Sequence, residues 1–508
     1  MPVGRSTRGL IRAGSAAVAA IAVLAAPAVT AAHGLNVQYQ SPLPLPVYLA
    51  GAAATVGLSF LFVLLRDVRA EQPDPGHLVR VPAPVRISIR AIGLLAWLWI
   101  IIQGIAGGDS DASVATLFLW VYGWVGLAGL SAFLGPVWNW LDPFATLHDL
   151  GAALLRALRI PSWEPAELPP ALRGWPAVVG LFVFIWLELV QRGGPAILFV
   201  VLVAYTGFTL AMMAQFGRDA WRMHGETFSV WFRVLGRLAP FGAVSATETA
   251  EDPGEIDPDA LDTTVLRRRP LVSGLLASYW PISEIVLVAF GTGSILFDGL
   301  SQTRPYFDLF GAPQLPLATF LLVAFLGVIA AAAVAVARGV SPNAIGAGLL
   351  PIATGYLIAH YLTYLLVDGQ RIVIAISDPL QNGSNLFGTA FFTPVSTFLA
   401  PGLTWTIQLA AVVGGHMLGA WAGHVVAARD AAEARGEAGF VPVEAAEPPG
   451  GSPGAAPEHT SRGLRLREVP LALVMVGLTT LTLWSLGQAI VVTQPAQPAS
   501  ALVGLLGR

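Results

Sequence analysis

Long apolar segments, separated by shorter polar ones, recur along the whole chain. Ten of them are long enough to cross a bilayer as a helix, which takes roughly 20 residues, although the fourth is short. These predicted spans are residues 46–66, 88–107, 114–134, 176–191, 195–216, 280–298, 315–337, 345–367, 403–428 and 469–492. The pattern predicts an all-α protein, a polytopic integral membrane helix bundle of about ten transmembrane helices.

The N-terminal segment 1–32 differs from these spans. It begins with Arg5, Arg8 and Arg12, continues through an apolar run and ends in small residues. This order is typical of a secretory signal peptide, with cleavage near Ala31 or Ala32. Cleavage after Ala32 would leave His33 at the mature N-terminus, where its amine and imidazole could both bind a metal. The alternative is an uncleaved first helix, with His33 in a solvated loop.

Composition supports a membrane protein and limits its chemistry. Of the 508 residues, 55% are hydrophobic and 12% are charged, whereas about 25% are charged in a soluble globular protein. Cysteine is absent, which excludes disulfides, iron–sulfur clusters and thiolate catalysis. Any metal would need histidine, carboxylate or backbone ligands. No sequence feature indicates binding to nucleic acid.

Arginine, the only basic residue besides histidine, is distributed unevenly between the predicted loops. With the mature N-terminus outside, 21 arginines fall on the inner side and four on the outer side. Inner loops of membrane proteins are enriched in positive charge. The alternation therefore predicts a multi-pass protein of the plasma membrane with its mature N-terminus outside.

The same pattern divides the chain into regions. Residues 33–243 would hold five transmembrane helices and an inner interfacial helix at 228–238, and residues 270–428 four more helices with an outer lid loop at 368–402. Two linkers on the cytoplasmic side are predicted, an acidic one at 244–269 and a disordered one at 429–468. The last helix and an outer tail would occupy residues 469–508.

Polar residues concentrate at the predicted outer ends of several spans. Glu188, Asp298, His360 and His416 are expected to converge there, with Glu188, Asp298 and His360 as catalytic groups. Two imidazoles and two carboxylates, with His33 as a further ligand, could bind zinc, copper or another divalent transition metal and lower the pKa of bound water to roughly 7. Without a metal, the same residues could act as acid and base or relay protons. A structural hydrogen bond between helices is the alternative for both histidines.

Two further features surround this cluster. The loop 368–402 is too long for a plain connector and predicts a lid or re-entrant segment over the pocket. The side chains expected to bind substrate are Gln302, Tyr364, Asp378, Gln381, Asn382 and Asn385. Gly415, Gly419 and Gly423 recur every four residues and predict a closely packed helix face beside His416.

Several segments together resemble a known family. They are AHGL at 32–35, WLELV at 186–190, ILFDGLSQ at 295–302, AHYLTYLLVDGQ at 359–370, SDPLQNGSNLFGTA at 377–390 and GGHMLG at 414–419. The chain from 33 to 428 resembles the actinobacterial membrane proteins described as fenitrothion hydrolase-like. The resemblance implies hydrolysis of an organophosphate triester, with metal-bound water attacking phosphorus, but it assigns no catalytic residues.

Three functions therefore remain open at this point. The first is an integral membrane hydrolase acting on a small apolar ester that arrives from the lipid bilayer. The second is a transporter or copper-handling permease that uses His33, His360 and His416 to bind a metal ion. The third is a structural subunit of a membrane complex, in which the polar residues satisfy one another.

Overall fold

A computed structural model describes most of the chain. The described residues are 44–65, 76–107, 113–161, 164–191, 195–250, 252, 256–395, 398–434 and 476–485. The predicted signal peptide, His33, most of the linker predicted at 429–468 and the outer tail lie outside these ranges.

The described chain is mostly helical, and eight of its helices are long and apolar enough to cross a membrane. With the turns that extend them, these candidate spans are Ala83–Ala106, Val114–Phe133, Pro170–Gln191, Pro195–Phe216, Ile282–Ser301, Leu315–Gly339, Pro342–Ala375 and Gly402–Ala431. They match the second to the ninth predicted span. Helix Leu45–Leu65 covers the first predicted span, and residues 476–485 form a helix inside the tenth.

Short helices lie between the long ones along the described chain. The first nine are α1 (Leu45–Leu65), α2 (Ala83–Ala106), α3 (Val114–Phe133), α4 (Trp138–Leu141), α5 (Pro143–Ala157), α6 (Trp175–Trp186), α7 (Pro195–Phe216), α8 (Arg218–His224) and α9 (Thr227–Leu235). The others are α10 (Ala246–Thr249), α11 (Ser273–Ala277), α12 (Ile282–Ser301), α13 (Arg304–Phe310), α14 (Leu315–Gly339), α15 (Pro342–Val367), α16 (Arg371–Ala375), α17 (Pro401–Ala434) and α18 (residues 476–485). Short 3₁₀ turns lie at Pro170–Leu172, Gly236–Leu238 and Asp368–Gln370.

A small antiparallel sheet closes one end of the bundle. Strand β3 (Val265–Arg268) lies between β1 (His77–Arg80) and β2 (Phe241–Gly242). The acidic linker predicted at 244–269 thus contains both a strand and helix α10. Local composition does not reveal this, because the backbone partners of β3 come from a distant part of the chain.

Helix α9 differs from the interfacial helix predicted at 228–238. Seven of its nine residues are buried, and Trp231 stacks on Trp124 of α3 with ring centroids 5.6 Å apart. Glu226 caps the helix by accepting from the N–H groups of Phe228 and Ser229. The helix is thus packed inside the protein, whereas the prediction placed it flat on the inner membrane surface.

The glycine face predicted on the ninth span is confirmed. In α17, a Cβ on Gly415 would lie 2.7 Å from the carbonyl oxygen of Pro351, and one on Gly419 would overlap the carbonyl oxygen of Gly348. Only residues without a side chain allow the backbones of α15 and α17 to come this close. This contact fixes the position of α15, which carries His360.

The two ends of the bundle carry different structures. We call the end where α12 and α15 terminate, beneath the loop 368–402, the lid end. This loop begins with the 3₁₀ turn Asp368–Gln370 and continues into α16. The Gln370 side chain holds the loop in place by hydrogen bonds with the backbone of Val395. The opposite end, with the three strands, is called the sheet end.

Candidate acid–base site at the lid end

An aspartate and a histidine from two different helices meet at the lid end. Asp298 lies near the C-terminal end of α12, and His360 lies near the C-terminal end of α15. His360 Nε2 is 2.7 Å from Asp298 Oδ2, and the two side chains are 17% and 19% exposed. This is the length of a charge-assisted hydrogen bond, partly shielded from water.

A third side chain fixes the orientation of the pair. Gln302 lies one helical turn after Asp298, and its Nε2 donates to Asp298 Oδ1 at 2.7 Å. Since a carboxylate can only accept from the imidazole, the His360 ring carries its proton on Nε2 when it is neutral. Nδ1 is then the ring atom that can accept a proton, which is the arrangement a general base requires.

Glu188 lies close to this pair on a different helix. Its carboxylate interacts electrostatically with Asp298. It belongs to a π-helical segment, Leu187–Gln191, that follows α6 directly. A second π-helical segment, Leu117–Gly126, forms the middle of α3, and from it the Tyr122 hydroxyl donates to the carbonyl oxygen of Gly369 at the base of the lid. π-Helical turns are rare and frequently occur at functional sites.

A buried carboxylate oxygen beside the pair has no partner. Glu188 Oε2 makes no hydrogen bond to any other described residue. Tyr361 lies beside it, since it interacts electrostatically with Glu188 and Asp298 and pairs with the Trp124 side chain. Leaving a buried polar atom unpaired costs about 1–3 kcal/mol. Such an atom is normally paired with water or a ligand, so Glu188 is suited to bind one.

Ser485 of α18 also lies near the pair and was missed by the sequence analysis. A Cβ built on Gly299 would lie 3.1 Å from Ser485 Oγ and 3.7 Å from His360 Cε1. The Ser485 hydroxyl itself donates to the carbonyl oxygen of Thr482. Its sequence context is an ordinary apolar helix, so only tertiary packing reveals its position.

The predicted metal ligands are not brought together as expected. His416 is fully buried, with Nδ1 2.8 Å from the carbonyl oxygen of Val412 and Nε2 3.2 Å from the Tyr356 hydroxyl. Both ring nitrogens therefore have hydrogen-bond partners. This agrees with the alternative interpretation of His416, a structural hydrogen bond between helices. Within the described ranges, no group of three or more histidine, aspartate or glutamate side chains is placed to bind a metal ion. The zinc or copper site expected from His360, His416, Glu188 and Asp298 therefore does not fit this arrangement, and His33 lies outside the described residues.

Three of the predicted substrate-binding residues, Asp378, Asn382 and Asn385, form hydrogen bonds within the lid loop. The Asp378 carboxylate accepts from the backbone N–H groups of Asn382, Gly383 and Ser384. Asn385 Oδ1 accepts from the buried hydroxyl of Ser377 at 3.0 Å. Short polar side chains favour such local hydrogen bonds with backbone groups, and here they give the loop a defined shape.

The remaining predicted binding residues are divided between the loop and the site. Gln381 is exposed on the loop with a φ of 50°. Tyr364 is half-buried and close enough to Glu188 and Asp298 to interact electrostatically with both. Tyr364 and Gln302 thus belong to the site, whereas Gln381 follows the Asp378 turn.

Comparison with known proteins adds no assignment. No protein-family model, curated protein or solved structure matches this chain.

Proposed function

We propose that this chain is an integral membrane hydrolase whose active site is the lid-end cluster around Asp298 and His360. One observation carries the proposal, the 2.7 Å contact between His360 Nε2 and Asp298 Oδ2. The unpartnered carboxylate oxygen of Glu188 supports it, because it provides hydrogen-bonding capacity for a substrate beside the pair. The resemblance noted in the sequence suggests a phosphotriester as substrate.

In the proposed reaction, Asp298 holds His360 with its Nε2 proton directed at the carboxylate. His360 Nδ1 accepts a proton from a water molecule while the water oxygen attacks phosphorus. The bond from phosphorus to the leaving oxygen breaks, and the imidazolium returns its proton to that oxygen. The products are a phosphodiester and an alcohol. General-base assistance of this kind contributes roughly 10²–10⁴-fold to a rate.

The proposal also includes the orientation of the protein in the membrane and a reaction without a bound metal. The lid end faces the outside of the plasma membrane, in agreement with the distribution of arginines, and the ester arrives from the bilayer. The reaction uses His360 as the base and includes no metal-bound step, because the described residues bring no three histidine, aspartate or glutamate side chains together to bind a metal ion.

A second function is favoured by a separate observation. The hydrogen-bonded pair of Tyr356 and His416 lies one helical turn below His360, roughly 6 Å deeper along α15. These residues could pass a proton inward from His360, as a transporter coupled to protons would require. In proteoliposomes, proton flux that is lost in His416→Gln would favour this function.

The hydrolase proposal is tested on the full chain in detergent or nanodiscs. The substrate is a 4-nitrophenyl dialkyl phosphate, and release of nitrophenol is recorded for the wild type, His360→Gln and Asp298→Asn. We expect both variants to lose at least about 100-fold in rate. Asp308→Asn serves as the control, since Asp308 is an exposed aspartate of the same end, paired with Arg304. Equal rates in all four proteins, or no turnover by the wild type, would overturn the proposal.

A further inference from the structure

A second polar site lies at the sheet end, far along the bundle from the acid–base pair. It is a cavity of about 160 Å³ between α2, α4, α5 and α8. This volume is roughly ten times what one water molecule needs. Its polar wall includes four arginines and two aspartates: Arg86, Arg90, Arg218, Arg222, Asp142 and Asp149. Four guanidinium groups thus face two carboxylates.

The carboxylates near this cavity are already committed to other partners. Asp149 is shared between Arg90 and Arg218, at 2.5 Å and 2.8 Å. Asp142 binds Arg222 with one oxygen and caps α5 with the other. A third carboxylate, that of Asp219, pairs with Arg218 and Arg222. Three of the four arginines therefore form ion pairs with carboxylates.

Arg86 is that fourth arginine. Its Nε is buried and has no hydrogen-bond partner among the described residues. The carboxylate of Asp262 is near enough to interact electrostatically with Arg86. Asp262 accepts hydrogen bonds from Thr264 and Thr249 and forms no ion pair with Arg86. The buried N–H at Arg86 Nε is therefore left without an acceptor, which a bound anion would supply.

The position of the cavity indicates which kind of anion. Arg86 and Arg90 are four residues apart and lie on one face of α2, within its first two turns. Ile87, also at the cavity, is 67% exposed and belongs to the apolar surface of the bundle. The first turns of a spanning helix lie at the depth of lipid headgroups. Basic pockets between membrane helices are suited to bind phosphate-bearing headgroups.

We propose that this cavity binds a phosphate group at the sheet end, with Arg86 and Arg90 as its principal donors. Guanidinium groups bind phosphate with two parallel N–H bonds, so an anion here would satisfy Arg86 and join the network of Arg90, Arg218 and Arg222. The phosphate can belong to an anionic phospholipid of the adjacent leaflet or to a soluble phosphate compound. The cavity is separate from the acid–base pair, so this proposal can be tested independently of the proposed hydrolase activity.

The test compares two sources of phosphate on the full chain in detergent. Native mass spectrometry counts bound phosphatidylglycerol, and isothermal titration measures binding of inorganic phosphate. The variants are Arg86→Gln and, as a matched control, Arg338→Gln. Arg338 is an exposed arginine in the last turn of α14, outside the cavity. Arg86→Lys shows whether positive charge alone restores binding and whether the site still folds.

We expect Arg86→Gln to weaken binding roughly tenfold or more, the loss typical of one hydrogen bond to a charged group, with Arg338→Gln unchanged. Binding of the lipid alone would assign the site to a headgroup, and binding of inorganic phosphate alone would assign it to a soluble ligand. If neither binds to the wild type, or if Arg86→Gln and Arg338→Gln bind equally well, the proposal is wrong.

Discussion

Asp298 and His360 are 62 residues apart in the chain, and their side chains meet at 2.7 Å in the folded bundle. Each residue lies near the end of its own candidate membrane-spanning helix, so the contact depends on how α12 and α15 pack. The first prediction concerns this interaction. In a double-mutant cycle with Asp298→Asn and His360→Gln, we expect a coupling energy of about 1.5–3 kcal/mol. Denaturant unfolding of the full chain in detergent measures it, and additive effects of the two substitutions would contradict the contact.

The glycine face of α17 gives a prediction about helix packing. Gly419→Ala places a methyl group against the carbonyl oxygen of Gly348, so we expect a loss of about 1–3 kcal/mol in unfolding free energy. Gly414→Ala is the matched control on the same helix, because nothing lies within 4 Å of a Cβ built on Gly414. There, the better helix propensity of alanine should leave stability equal or raise it by about 0.5–1 kcal/mol. Thermal denaturation of both variants checks the difference.

The buried carboxylate of Glu284 should stabilise the region around α9. It binds Arg233 at 3.1 Å and Arg237 at 2.5 Å, and Arg237 lies 4.1 Å above the Trp280 ring. Glu284→Gln leaves two guanidinium groups in a buried site without their anion, so we expect a loss of about 3–5 kcal/mol. Asp308→Asn breaks an exposed ion pair and should change stability by less than about 1 kcal/mol. Similar effects of the two variants would show that Glu284 is not buried as described.

The stability of the sheet end should depend on acid pH through Asp149. Burial raises the pKa of Asp149, but hydrogen bonds from His148 and Arg90 and the charge of Arg218 outweigh it and lower this pKa well below its usual range. A depressed pKa in the folded state stabilises the protein above the unfolded-state pKa of about 3.9. This contribution is lost as the pH falls below that value. The melting temperature should therefore fall more steeply between pH 6 and pH 3 for the wild type than for Asp149→Asn.

The absence of cysteine allows a direct test of orientation. Arg304→Cys introduces a single thiol at the lid end, and Arg338→Cys introduces one at the sheet end. If the lid end faces outward, a membrane-impermeant maleimide added to intact cells should label the first variant alone. Both should react once the cells are permeabilised. Labelling of Arg338→Cys alone in intact cells would reverse the proposed topology.

The sequence by itself determined the membrane class, the positions of the long helices and the glycine face of α17. Each of these depends on local periodicity and composition, which a single segment contains in full. The sequence also indicated Asp298, His360 and Glu188 as candidates, because charged and imidazole groups inside spans are costly and need a partner.

Only the tertiary structure decided which of these groups meet. His416 was expected at the same site, but it forms hydrogen bonds with Tyr356 and Val412, since the rotation and depth of α17 are set by its packing on α15. Asp378 and Asn385 were predicted to bind a substrate, and the structure adds that their side chains form hydrogen bonds within the lid loop. The arginine cavity was not foreseen at all, because its members come from α2 and α8 and the sequence assigns them only a general positive charge. Contacts between distant segments depend on helix orientation, which no local pattern encodes.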